Sequence, residues 1–99
     1  MFVITVDFRV RPEHAEAFHA AVVRQAANSL ALEEDCHHFD VCLDLEDEGH
    51  VFLYEVYTDE AAFKLHLESA HFRDFDATVK DWVTSKTVDS WRLQPAAEA

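Results

Sequence analysis

One glycine, Gly49, stands among 99 residues, and its isolation removes a class of functions. Phosphate-cradling loops need several glycines so that backbone amides can close around the anion. The chain accordingly carries no G-x-G-x-x-G, no G-x-x-x-x-G-K and no G-x-S-x-G run, and nucleotide or flavin cofactors are not expected. Basic residues are scarce too: eight Lys and Arg stand against twenty Asp and Glu, a formal net charge of -12. Nucleic-acid affinity draws on clustered cations, so neither a phosphate-backbone partner nor an anionic membrane surface is expected. The acidic surplus serves solubility.

Cysteine is limited to Cys36 and Cys42. Six residues apart on one strand, they are held about 20 Å from each other at roughly 3.3 Å per residue, too far for a disulfide. Two free thiols fit a reducing cytoplasm. Cys36 has no activating cation nearby in sequence and reads as a small packing residue rather than a nucleophile. No apolar run approaches membrane-spanning length. Met1 leads directly into FVITVDFRV without a basic n-region or a small-residue cleavage site, so no secretory leader is expected.

What is present is apolar and aromatic: 49% hydrophobic residues, with eight Phe, two Tyr and two Trp. This composition predicts one folded domain over residues 1–95 with a short tail, 96–99. A domain this small competes with itself for core, and a partner subunit would relieve that competition.

Phe2, Ile4, Val6, Phe8 and Val10 alternate with Val3, Thr5, Asp7 and Arg9, which predicts a strand. Pro12 breaks it, and from Glu13 Ala15, Phe18, Val22, Ala26 and Leu30 recur at helical spacing to about Glu33. A second strand runs from Cys36 to Leu43, with His37, Phe39, Val41 and Leu43 on one face. Asp44 to His50 is a hairpin turn, and Val51 to Tyr57 is the third strand. Thr58 or Asp59 then opens a helix with Ala62, Phe63, His66 and Leu67 on its inner stripe. Ser69 caps again, starting a helix with Phe72, Phe75, Val79 and Trp82 on one face. Lys86 to Gln94 alternates as a last strand.

The order is βαββααβ, an α+β ferredoxin-like split βαβ with an antiparallel sheet and a divided second crossover. Helices cover one face of the sheet. The other keeps apolar and aromatic residues, a patch that predicts a homodimer with sheets face to face.

Three residues are candidates for proton transfer. Glu55 lies in an apolar strand, where a desolvated carboxylate gains proton affinity. It can act as a base or hold a histidine, or it can pair structurally with Arg9, Arg11 or Arg92. His66 falls on the inner stripe of its helix and needs partners for its ring nitrogens. His71 opens the next helix, where the local positive potential favours neutral imidazole. The H-x4-H spacing suggests a metal pair, but Ser69 and Ala70 interrupt the helix and no zinc motif surrounds them, so no native metal is expected. His14, His19 and His50 read as surface residues.

Three runs in register, E-E-D-C-x-x-F-D-V (Glu33 to Val41), L-Y-E-V-Y-x-D-E-A-A-F (Leu53 to Phe63) and H-x4-H-F (His66 to Phe72), resemble the antibiotic biosynthesis monooxygenase family over nearly the whole chain. The resemblance implies a dimeric α+β barrel and, as in many members, oxidation of quinols or polyphenols by molecular oxygen without metal, flavin or haem. The FDV and YEVY forms are similar to the branch containing the isomerase of phosphorylated autoinducer-2. A haem-degrading branch relies on an asparagine in its first strand, whereas the asparagine here is Asn28, in the first helix. Asp35 stands where the family often has glycine, and Ala70 where proline commonly precedes the second histidine.

As a cofactor-independent monooxygenase, the protein would bind a dihydroxylated aromatic among Phe39, Tyr54, Tyr57 and Phe72, with His66 or His71 removing a phenolic proton. As an isomerase, the same base would form an enediolate from a phosphorylated hydroxy-dione, with Arg73, Lys64 or Arg24 meeting the phosphate. The third reading is a dimeric binding module without catalysis. Fold resemblance constrains architecture better than reaction.

Overall fold

The computed structural model describes residues 1–97; positions 98–99, the end of the expected tail, lie outside the described residues. The first alternating run forms β1 (Phe2–Val10), with Ile4, Val6, Phe8 and Val10 buried together. Pro12 starts one turn of 3-10 helix, at a position where a missing amide costs nothing. It leads into α1 (Ala15–Leu32), whose stripe of Ala15, Phe18, Val22, Gln25, Ala26 and Ser29 is buried. There follow β2 (Cys36–Leu43), β3 (His50–Tyr57), α2 (Glu60–Glu68), α3 (Ala70–Val79) and β4 (Val83–Arg92), the expected βαββααβ order. Among the described residues no helix is long and apolar enough to cross a membrane.

Two caps divide the second crossover. Asp59 accepts from the Ala62 amide at 2.9 Å and Ser69 from the Phe72 amide at 3.2 Å, satisfying amides that a helix start leaves free. Between the helices Ser69 is extended, at φ -67 and ψ 148. The helix break is therefore written into side-chain chemistry.

The sheet runs β2-β3-β1-β4, every neighbour antiparallel. In register, Ile4 and Phe39 flank Glu55 on the helix-covered face, while Thr5 and Asp40 flank Tyr54 on the other. A bulge between Cys36 and His38 overturns the expected phase at the start of β2. Cys36 turns inward and is 5% exposed, whereas His37 is exposed and meets Thr58 Oγ1 at 2.7 Å. An extra residue in one strand reverses the side-chain alternation before it.

Further expectations are corrected at element ends. The last strand begins at Val83, three residues before Lys86, and stops at Arg92. It lies at the edge of the sheet, and from Thr84 onward all its residues are exposed. Trp82 lies beyond α3, its amide donating to the Val79 carbonyl, and its ring stacks on His14 at 5.3 Å. Leu67, expected inside, is 40% exposed. His14, His19 and His50 are partly covered rather than free on the surface. His19 Nε2 lies 2.7 Å from the Glu48 carbonyl. His50 reaches Asp7 and Asp44 at 2.9 and 2.8 Å, and these hydrogen bonds, Asp7 first, hold its pKa above the ordinary imidazole value.

Gly49 sits where the hairpin turn meets the end of β1: a Cβ there would come within 2.7 Å of the Val10 carbonyl oxygen. Asp35, where the resemblance suggested glycine, needs no special backbone, since no non-glycine residue among those described has positive φ. Its carboxylate accepts from Thr58 Oγ1 at 2.9 Å, tying the start of β2 to the turn before α2.

Candidate active site

The site is assembled at the end of α1. Glu33 caps that helix in extended conformation, its amide donating to the Ser29 carbonyl at 3.1 Å. This turn sends the Glu33 side chain under the junction of α2 and α3. There one oxygen, Oε2, accepts from His66 Nδ1 at 2.8 Å and from His71 Nε2 at 2.5 Å. His66 arrives on the inward stripe of α2 and His71 from the first turn of α3. The break at Ser69 lets residues five apart converge, their ring centroids 6.0 Å apart.

The hydrogen bonds determine the tautomers. A carboxylate only accepts, so His66 donates through Nδ1–H and His71 through Nε2–H. In a neutral ring this leaves the lone pair at His66 Nε2 and at His71 Nδ1. Burial pushes the His66 pKa below the ordinary imidazole value, and the Glu33 carboxylate opposes that shift without cancelling it. His66 is therefore a neutral imidazole at neutral pH, oriented by an acid from behind. Around it stand Phe72, Tyr57, Phe39 and Phe63, with centroids at 5.1, 5.4, 6.0 and 6.0 Å.

Glu55 belongs to a second, adjoining group. It is 3% exposed, on the helix-covered face of β3, and accepts from the Tyr57 hydroxyl at 2.6 Å. Burial pushes its pKa up to about 7, against the opposing pull of the Tyr57 hydrogen bond and of Lys86. The Tyr57 phenol is pushed up as well, by burial and then by Glu55. Burial followed by the charges of Glu33 and Glu55 lifts the Cys36 thiol to about 12, which keeps it protonated and unreactive.

Phe39, Tyr57 and Phe72 thus gather at His66. Tyr54 does not: it lies on the other face of the sheet, in a shallow depression with Val3, Thr5 and Trp91. The alternation of β3 forces this, because Glu55 and Tyr57 already face the helices. Glu55 makes no hydrogen bond to either histidine among the described residues; the Tyr57 ring lies between the two groups.

Two participants escaped sequence reasoning. Glu33 read as one of three acids ending a helix, and only its place in the E-E-D-C run marked it. Lys86, on β4, brings its ammonium 5.6 Å from the Phe8 ring and 5.8 Å from the Phe72 ring, at the uncovered margin of the cluster.

Glu33, His66 and His71 offer ligand atoms within 4.8 Å of one another, a set that suits a divalent cation of the zinc type. Binding one would displace both N–H donors from Glu33, so metal ligation and the hydrogen-bonded orientation of the two rings are mutually exclusive uses of these atoms. On its far side His71 borders a cavity of about 350 Å³ between α1 and α3. Through one carboxylate oxygen the orientation of the His66 ring is thereby coupled to that of His71, and so to the wall of that cavity.

Residues 1–78 match the family described as antibiotic biosynthesis monooxygenase. A Bacillus subtilis (strain 168) protein named "Putative monooxygenase YcnE" is 32% identical over 85 residues, covering 86% of this chain and 88% of that one. A solved structure named as a "Putative antibiotic biosynthesis monooxygenase" from Nitrosomonas europaea aligns with a TM-score of 0.88 at 27% identity, over 93% of this chain and 97% of its own. One of the same description from Bacteroides thetaiotaomicron VPI-5482 gives 0.89 at 26%, over 99% and 94%.

Proposed function

Since the chain belongs to the antibiotic biosynthesis monooxygenase family, we propose that it oxidises a small quinol or polyphenol with molecular oxygen, His66 serving as the base and no cofactor taking part. The observation that carries this reading is the Glu33 carboxylate bound to His66 Nδ1 at 2.8 Å. It turns the Nε2 lone pair of a neutral imidazole toward the aromatic cluster, where a phenolic hydroxyl can meet it. Phe63 and Phe72, the partly buried members of that cluster, are the side from which a substrate ring approaches.

Removal of the phenolic proton by Nε2 gives an electron-rich phenolate. One electron passes to oxygen, and the radical pair joins at a ring carbon to form a C–O bond. Loss of the hydrogen on that carbon, with cleavage of the O–O bond, forms the new oxygen function and releases water. Quinol and one O₂ become hydroxyquinone and one H₂O, so atoms and electrons balance. His66 returns the proton from Nε2 to the peroxide oxygen, which leaves as water, while Glu33 holds the Nδ1–H in place. General acid–base help of this kind contributes about 10²- to 10⁴-fold.

The working unit in this reading is a cytoplasmic homodimer joined through the uncovered sheet face. Support comes from Phe52 and Trp91 there, 38% and 57% exposed, and from the free thiols of Cys36 and Cys42. Oxygen uptake across a panel of quinols, with hydroxyquinone as product, tests the function. No uptake, together with turnover of a phosphorylated hydroxy-dione, would replace the oxygenase with the isomerase.

A further inference from the structure

Gln25 is 3% exposed, yet its amide nitrogen has no hydrogen-bond partner among the described residues. Burying a donor without a partner forfeits its hydration for nothing in return, and in a folded protein such a group calls for a partner. The side chain lines the cavity between α1 and α3 described above, together with Arg24, Asn28, His71, Asp74 and Phe75. About 350 Å³ is the size of a small one-ring compound site.

The chemistry of the wall specifies the ligand. Arg24 has no carboxylate within 4.0 Å among the described residues, so its guanidinium is available to an anion. With the Gln25 amide it supplies donors for an anionic oxygen. Asp74 can accept only, and it would repel a second negative group while receiving a hydroxyl. Phe75, Ala20 and Ala21 supply an apolar side. His71 presents its free Nδ1 edge, since its Nε2 is taken by Glu33.

We propose that the cavity between α1 and α3 is a binding site for a small hydroxylated aromatic acid, its carboxylate held by Arg24 and Gln25 and its hydroxyl directed to Asp74. The inference stands on the cavity and its unmatched donor and does not require the oxygenase reading. An occupant would sit one hydrogen bond from Glu33, at the outer end of the His71–Glu33–His66 chain.

The test is binding without turnover, under argon, by titration calorimetry and amide NMR with 4-hydroxybenzoate, and with phenol as the uncharged control. 4-Hydroxybenzoate is expected to perturb residues of α1 and α3 around the cavity and to bind at least about tenfold tighter than phenol. Arg24→Gln, an exposed position, should abolish that preference. Gln25→Met should weaken binding severalfold without loss of thermal stability, because it removes a donor that has no partner. Equal affinity for phenol, perturbations confined to other elements, no saturable binding at millimolar ligand, or unchanged affinity in Arg24→Gln would each overturn the proposal and leave the cavity to solvent.

Discussion

Glu33 serves two imidazoles with one oxygen, and that sharing makes it the most sensitive residue of the site. In Glu33→Gln the amide keeps one acceptor but brings two donors against two N–H groups, so at least one histidine loses its orientation. Quinol-dependent oxygen uptake is expected to fall about 10²-fold. With the carboxylate gone, burial acts on His66 unopposed, and its imidazole pKa, followed by NMR, should move further down; an unchanged value would mean Glu33 does not govern that ring. Glu55 yields a separate test, in stability. Its pKa rises from 4.5 to about 7, so over that window the unfolded chain releases a proton that the folded chain retains. Stability therefore falls as pH rises through the window, by about 3 kcal/mol at most. Glu55→Gln should flatten that slope and be the more stable protein at pH 8, as measured by urea unfolding at pH 5 and pH 8. The same slope in both proteins would show that Glu55 is already ionised in the fold. Glu55 could be recognised from its apolar neighbours in sequence; Glu33 could not, because its partners are 33 and 38 residues away.

At the level of elements, local chemistry wrote its own boundaries wherever a cap or a breaker was present. Pro12, Asp59 and Ser69 each stop or start a helix where their chemistry dictates. Where no such marker exists the periodic pattern overran or fell short. The apolar spacing of Phe75, Val79 and Trp82 continues past the end of α3, and Val83 to Ser85 lack the alternation that would announce an edge strand. The bulge at the start of β2 is equally silent, since nothing in Cys36-His37-His38 distinguishes two residues opposing one. Ser69 also touches the site: its Oγ donates to the His66 carbonyl at 2.7 Å and lies 3.2 Å from His71 Nε2. Ser69→Ala should cost about 1 kcal/mol of stability through the lost cap, read from denaturant unfolding, with helix content by circular dichroism retained. A variant as stable as the parent would mean the break between α2 and α3 is held by packing alone.

The whole molecule is elongated for its length, 46 × 32 × 20 Å in extent, and its sheet is covered on one side only. Trp91 on that uncovered side, 57% exposed, donates from its indole to Thr5 Oγ1 at 2.9 Å, linking β4 to β1. The proposed dimer requires that wild-type protein sediment at twice the chain mass and that Trp91→Glu, placing a charge at the seam, sediment as a monomer. A wild-type monomer at micromolar concentration would remove the dimer from the reading. The sequence pattern identified this face as apolar but left open which aromatic residues belong to it, because one residue of strand phase exchanges Tyr54 with Glu55.

The bridging carboxylate also has a temporal consequence. Glu33 closes α1, His66 and His71 come from either side of a break much later in the chain, and neither half holds the hydrogen-bonded trio by itself. Loop closure over such separations is complete only when the sheet and all three helices have docked. On the proposed function a nascent or partly unfolded chain is therefore inactive, and the imidazole N–H signals bound to Glu33 should vanish at the same denaturant concentration as the core.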